Sequence, residues 1–346
     1  MKIVHVLLSM KVGRIPALIT DIANEQVKTN EVTFVVVNDL CVQSMMDGVD
    51  KRIKILRVNR KVGSWNPYYM LKLNWYVWNE RPDIVHCHAV QEDKWLPFTH
   101  GAPKVVTVHN ARPKKDYGHF AQIYGISEGV CKVIKETSGL DSVCVYNAIR
   151  PENFVPSVFP YIPGEMLRII CVGRVFDYKG QYLLVEAAKI MRDRGVDKFS
   201  ITIVGGGDDL DHLISVVKEE HLDEYVEFLG QQPREFVFEH LHEYHLFVLP
   251  SVTEGFGLTL AEAMSARVPV LSSNLEGPLE VIKNGEYGMV FQSEDVEDLV
   301  QKILDFKEGR VSVDLYAAEK FVRDNFSIQS TTSRYIDEYK KVINNK

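Results

Sequence analysis

Leu246-Phe247-Val248-Leu249-Pro250-Ser251-Val252-Thr253-Glu254-Gly255-Phe256-Gly257-Leu258-Thr259-Leu260-Ala261-Glu262-Ala263-Met264 reads as strand, glycine loop, helix. A short wholly apolar run that leads through a turn into a helix fits a strand buried on both faces, which is the parallel βα arrangement. Glycines let the backbone come close to a ligand, and the helix N-terminus beyond them offers free N–H groups to an anion. Glu254 stands just before the turn and Glu262 about one turn into the helix. Two carboxylates are poor ligands for a phosphate, but they suit hydroxyl groups on either side of one. From spacing alone, a loop with two solvated acids would serve as well.

The same alternation extends in both directions. Arg168–Val172, Ser200–Val204, Val226–Leu229 and Val268–Leu271 read as further strands of the second half. Helical patterns lie at Gln181–Arg194, Leu210–Glu220, Glu235–His242, Leu260–Ala266 and Val296–Phe306. In the first half the strands are Ile3–Leu8, Val32–Val37, Ile53–Val58, Ile84–His88, Val105–His109 and Ser142–Val145, with helices at Ile15–Lys28 and Tyr68–Trp78. Two doubly wound parallel sheets follow, an α/β class. Between them the chain loses its period and gains proline, at Arg150-Pro151-Glu152-Asn153-Phe154-Val155-Pro156, Pro160 and Pro163. A hinge is expected there, dividing domain 1–155 from domain 156–325, with a terminal helix in 326–346.

Length and charge agree with two globular domains. The 346 residues exceed one compact core, and 46% apolar with 25% charged residues is ordinary for a globular chain. No apolar run reaches bilayer-spanning length, and Met1–Ser9 reads as a buried first strand rather than a leader. Five scattered cysteines without metal spacing suggest reduced thiols and a cytoplasmic setting. The net charge of −7 is uneven, because residues 1–165 hold 20 of the 40 basic groups and 16 of the 47 acidic ones. Nucleic acid is therefore not an expected partner, whereas an anionic acceptor or a membrane surface beside the first half is compatible. Lys51, Arg52, Lys54, Arg57, Arg60 and Lys61 precede an aromatic stretch holding Trp65, Tyr68, Tyr69, Trp75, Tyr76 and Trp78. That combination suits anionic lipid. A solvated strand followed by a core helix is the plainer reading, and the preferred one.

Three further turns carry candidate chemistry. In Cys171-Val172-Gly173-Arg174-Val175-Phe176-Asp177-Tyr178-Lys179-Gly180, a strand ends in Gly-Arg and a lysine precedes the next helix. Two cations at the carboxyl end of a parallel strand can neutralise a diphosphate, although loop cations taken singly are usually solvated. Val204-Gly205-Gly206-Gly207-Asp208-Asp209 is another strand-to-helix turn, without the spacing of a dinucleotide fingerprint or a P-loop. His109 ends a strand of the first half, and His86 and His88 end another. The latter two read as core or rim histidines.

Together these elements resemble family 4 of the retaining glycosyltransferases. The resemblance runs through Pro82–His88, Thr107–Asn110, Tyr146–Ile149, Val172–Arg174 with Lys179-Gly180, and Phe228–Gly230. It continues through Glu254…Glu262, Pro269-Val270, Glu280–Ile282 with Asn284-Gly285, and Phe326-Ser327. It implies the GT-B fold, two Rossmann-like domains facing a central cleft, with the terminal helix returning to the first domain. It also implies transfer of a sugar from a nucleotide diphosphate donor with retention of configuration, UDP-sugar favoured over GDP-sugar. The acceptor would be a glycan or lipid-linked glycan of surface polysaccharide biosynthesis, lipopolysaccharide among them. No cofactor and no metal is implied. By resemblance, Arg174 and Lys179 bind the diphosphate, Glu262 the ribose, and Glu254 hydroxyls of the transferred sugar. Gly255, Phe256, Gly257, Leu258 and Thr259 would contribute backbone N–H groups, Gln231 would lie by the base, Gly206 in a neighbouring donor-side turn, and His109 would act towards the sugar. Gly13 matches the second glycine of a loop in the first domain. This chain departs from the pattern at Val12-Gly13, at Arg267 where a helix-ending glycine is usual, and at Glu276-Gly277. An epimerase or hydrolase on the same fold would need further acids and bases around the sugar. A non-catalytic nucleotide-sugar binder would be expected to have lost Arg174, Lys179 or the glutamates.

Overall fold

A computed structural model describes residues 1–88, 95–109, 114–158 and 160–345. The chain forms two compact units, one of Met1–Ala148 with Ile328–Lys346 and one of Ile149–Ser327.

Among the described residues the first unit holds seven parallel strands: β1 (Lys2–Leu7), β2 (Glu31–Asn38), β3 (Lys54–Arg60), β4 (Ile84–Cys87), β5 (Lys104–Val108), β6 (Gln122–Gly125) and β7 (Val143–Cys144). Their order is β3-β2-β1-β4-β5-β6-β7. Its helices are α1 (Arg14–Gln26), α2 (Gln43–Asp47), α3 (Pro67–Glu80) and α4 (Glu128–Ser138). Capping residues explain where two of these begin. Asn66 accepts a hydrogen bond from Tyr68 N with Pro67 in the first turn, and Ser127 accepts one from Val130 N.

The second unit holds β8 (Leu167–Val172), β9 (Phe199–Val204), β10 (Val226–Gly230), β11 (Leu246–Leu249), β12 (Val270–Ser273) and β13 (Met289–Phe291). These are also parallel, in the order β10-β9-β8-β11-β12-β13. Its helices are α5 (Gln181–Asp193), α6 (Leu210–Glu219), α7 (Arg234–His240), α8 (Leu258–Ser265), α9 (Glu276–Val281), α10 (Val296–Lys307) and α11 (Leu315–Phe326). The core gathers Ile169, Ile201, Ile203, Val248 and Leu271 from the strands against Leu184, Ala188 and Ile303 from helices. A last helix, α12 (Ile328–Asn344), belongs to the first unit, where Tyr335 and Tyr339 pack with Ile3, Ile84, Val105 and Tyr124.

The break between the units lies before the proline-rich stretch, because Ile149 N donates to Phe326 O inside the second unit. Strands β6 and β13 and helices α2, α4, α9 and α11 join the elements expected from sequence. Each sheet has one point where strand order reverses, between β1 and β4 and between β8 and β11. Loops leaving the carboxyl ends of strands at such a point open a crevice for a ligand.

Candidate functional site

The reversal between β8 and β11 brings together two turns that lie far apart in sequence. The loop after β8 runs through Arg174 into a single turn of 3₁₀ helix at Asp177–Lys179, and the loop after β11 carries Glu254. Val252 N and Thr253 N both donate to Tyr178 O, at 3.0 and 3.1 Å. Gly180 makes this approach feasible: its φ is +70°, and a Cβ there would stand 2.0 Å from Pro250 O. Gly277 plays the same part on the far side of the loop, where a Cβ would lie 2.5 Å from Gly255 O and 2.8 Å from Phe256 N. Glycine is thus retained at the second position of Glu276-Gly277, and the departure at Glu276 leaves this contact intact.

Lys179 Nζ donates to Glu254 Oε2 at 2.6 Å, and the two side chains are only 18% and 19% exposed. Glu254 Oε1 accepts from Gly255 N at 3.0 Å. Sequence assigns Lys179 and Glu254 separate partners, whereas the fold joins them as an ion pair. Arg174 is exposed, but it is oriented by aromatic neighbours. Its guanidinium lies 5.2 Å from the centre of the Phe176 ring, and Nη2 donates to Tyr178 Oη at 3.1 Å. Buried Gln181 donates from Nε2 to Arg174 O at 3.0 Å and holds the turn from beneath. Phe176, Tyr178 and Gln181 escaped the sequence reading because aromatic and amide residues beside a turn carry no spacing signal.

Helix α8 begins at Gly257, which offers no side-chain cap. The first-turn N–H groups of a helix lack intrahelical partners, so those of Leu258 and Thr259 point out of the helix end. The whole of α8 is buried, Glu262 included. A buried carboxylate needs hydrogen bonds to stay there. Gly206 sits beside Gln231, with a Cβ at Gly206 falling 3.6 Å from Gln231 Cβ, and Gly206 O accepts from Val175 N at 3.0 Å. The β9 turn, Gln231 and the β8 loop are thereby adjacent. Arg267 has a left-handed φ of +52°, as the displaced glycine foretold, and its side chain is engaged: Nε donates to Glu319 Oε2 at 2.6 Å.

Gly13 and His109 belong to the first unit. Gly13 is exposed at the N-terminus of α1 with φ 168°, an extended backbone open to any residue, and the nearest atom to a Cβ there is Pro16 Cδ at 3.7 Å. Open space, rather than backbone strain, is what glycine supplies at this turn. His109 follows β5, and its Nε2 lies 3.2 Å from His88 Nδ1. His86 is buried between Tyr339 Oη and Thr107 Oγ1, in keeping with a core histidine. Burial pushes His109 down to about 4 and His86 well below the usual histidine range. Asn110 lies outside the described residues.

Two parallel doubly wound sheets with helices on both faces are the GT-B fold, the architecture of a class of glycosyltransferases. Residues 160–320, which hold the Arg174, Lys179, Glu254 and Glu262 positions, match the family model of glycosyl transferases group 1. Over 171 residues the chain is 32% identical to the amylovoran biosynthesis glycosyltransferase AmsK of Erwinia amylovora, covering 48% of this chain and 42% of that protein. The chain thus spans less than half of that relative's length. Among solved structures, a glycosyltransferase from Rickettsia africae superposes with a TM-score of 0.80 at 19% identity, over 100% of this chain and 99% of that one. Anabaena HepE in complex with UDP and glucose superposes with a TM-score of 0.78 at 15% identity, over 98% and 99%.

Proposed function

We propose that the chain moves a sugar from a nucleotide diphosphate donor to a glycan or lipid-linked acceptor of surface polysaccharide biosynthesis, with retention and without a divalent metal. The observation that carries this reading is the Lys179–Glu254 pair at the β8/β11 reversal, with Arg174 in the same loop and the α8 N-terminus beyond it. A departing nucleoside diphosphate gathers negative charge as the anomeric bond breaks. Fixed cations and helix N–H groups aimed at that charge lower the barrier. Arg174 and Lys179 supply the cations. Glu262 takes the ribose hydroxyls, Glu254 the sugar hydroxyls, Gln231 and Gly206 flank the base side, and His109 acts on the sugar. A UDP-sugar is the favoured donor, since HepE was solved with UDP and glucose, and a GDP-sugar is the alternative. Retention needs no separate side-chain base if the departing phosphate oxygen accepts the acceptor's proton on the same face.

Thermal stabilisation by a panel of nucleotide sugars in excess EDTA tests donor and metal together. A ligand at about 100 times its Kd adds about 2.7 kcal/mol, which is a rise of about 4 °C in Tm at an unfolding entropy of about 2.1 cal/mol/K per residue over 346 residues. At least one donor should give that rise in EDTA, and transfer should persist there. Stabilisation by none of them, or only after manganese or magnesium is restored, rejects the proposal.

The first unit adds a peripheral membrane contact to this reading. Helix α3 buries Leu73, Asn74 and Val77, while Tyr68, Leu71, Trp75 and Trp78 stand exposed at helical spacing. Trp65, just before the helix, is 85% exposed. The core-helix reading therefore holds for one face only. The basic cluster is thinner than its sequence suggests: Arg60 is buried under Trp95, Lys54 pairs with Glu80 and Arg52 with Asp50. No helix among the described residues is long and apolar enough to cross a membrane, so contact would be by interfacial aromatics. The chain should sediment with phosphatidylserine-containing vesicles, weakly dependent on salt, and Trp75→Ser with Leu71→Ser should release it. Equal recovery in the supernatant with and without vesicles removes the membrane from the account.

A further inference from the structure

The histidines of the first unit form a chain that ends at His109. Adjacent register places His5 of β1 beside His86 of β4, and His88 follows two residues on, towards the same face. Gln26, at the end of α1, presents Oε1 to His5 Nε2 at 2.7 Å. His5 Nδ1 lies 3.1 Å from His88 Nε2, and His88 Nδ1 lies 3.2 Å from His109 Nε2. His109 Nδ1 is buried, and among the described residues it has no hydrogen-bond partner.

We propose that Gln26, His5 and His88 are positioning residues that set the tautomer of His109, so that its Nδ1 presents a lone pair and accepts a hydrogen bond from a ligand O–H or N–H. A carbonyl oxygen can only accept, so His5 Nε2 carries the proton. A neutral ring has one N–H, which leaves His5 Nδ1 bare and requires His88 Nε2 to donate to it. The same step applied again makes His109 Nε2 the donor and His109 Nδ1 the acceptor. Burial keeps the rings neutral by pushing His5 and His109 down to about 4 and His88 well below the ordinary range. The other titratable groups packed here include His86, Tyr124, Tyr335 and Tyr339, which are also held uncharged by burial. No charge therefore interrupts the sequence of bonds, and the orientation of one distant amide is read out at His109. This rests on the reading of His109 as the sugar-facing group, and it names what that group takes: a hydroxyl or amide N–H, never a bare carbonyl or phosphate oxygen.

Two rival arrangements are open to test. If the Gln26 amide is turned round, every proton moves to the opposite nitrogen and His109 Nδ1 becomes a donor. Alternatively, one nitrogen each from His5, His86 and His88 lies within 4.8 Å of the others, a spacing that a metal ion could use. Histidine-selective ¹⁵N NMR of the full chain at pH 7.5, without any ligand, separates all three, with His109 assigned from its loss in His109→Gln. The expected spectrum shows His109 protonated at Nε2 and bare at Nδ1, unchanged by an equivalent of zinc chloride. Gln26→Met should populate both tautomers at His109, and Gln26→Glu, which still accepts, should restore one. A protonated Nδ1 in the wild-type protein, or stoichiometric zinc shifts at His5, His86 and His88, would overturn the proposal. Because no sugar or nucleotide is present, this outcome is independent of whether the chain transfers a sugar.

Discussion

Replacing Lys179 with alanine is expected to lower kcat/KM for sugar transfer by about 10²- to 10³-fold, the range found when one preorganised group is removed from a developing charge. Two effects act in the same direction. Under the proposed function the ammonium no longer meets the departing diphosphate, and Glu254 loses the cation that pairs with it at 2.6 Å. Arg174 is held against Phe176 and Tyr178 in its own loop, so its charge adds to that of Lys179 and does not replace it. The pair is partly buried but lies at the surface of the second unit's loops, so the fold should survive, and Tm serves as the control. Steady-state kinetics with saturating acceptor checks the effect. A loss smaller than tenfold would mean that Lys179 holds Glu254 in place and does little else.

The two sheets were legible because fully buried parallel strands are continuous apolar runs, as in Ile3–Leu7 and Ile201–Val204. Strands β6 and β13 were not. Gln122–Gly125 contains a glutamine and a glycine, and Met289–Phe291 is three residues long at a sheet edge, so neither forms a run. At the site, residue types and glycine turns were readable, but pairings were not. Lys179 and Glu254 are separated by 75 positions, and only the strand order that sets β8 beside β11 makes them neighbours. The histidines show the same division. Their places at strand ends were visible, and His86 with His88 share a face by simple alternation. The chain from Gln26 to His109 depends on β1 lying between β2 and β4, which no local pattern states. The strand before helix α3 shows how a count of cations misleads: Arg60 reads as surface charge, yet it is buried against Asn38 and Trp95.

Under the proposed function Glu254 and Glu262 divide the labour, and their variants should separate cleanly. Glu262 lies buried in α8 and is assigned to the ribose, which is unchanged by the reaction. Bonds equally strong in ground and transition states govern binding rather than turnover. Glu262→Ala should therefore raise the donor KM and weaken nucleoside diphosphate binding by about 10- to 150-fold, the equivalent of losing a hydrogen bond to a charged group at ~1.5–3 kcal/mol, with a smaller change in kcat. Glu254 is assigned to the reacting sugar, whose ring gains positive charge as the bond breaks, so Glu254→Gln should depress kcat. The same change leaves Lys179 without its carboxylate, so affinity for the free nucleoside diphosphate should hold or tighten. The deciding measurement is calorimetric titration of UDP and GDP, beside donor kinetics, for both variants and the parent chain. The account predicts nucleotide affinity lost in Glu262→Ala and kept in Glu254→Gln, with kcat falling in the latter. Nucleotide binding abolished by Glu254→Gln and untouched by Glu262→Ala would contradict it.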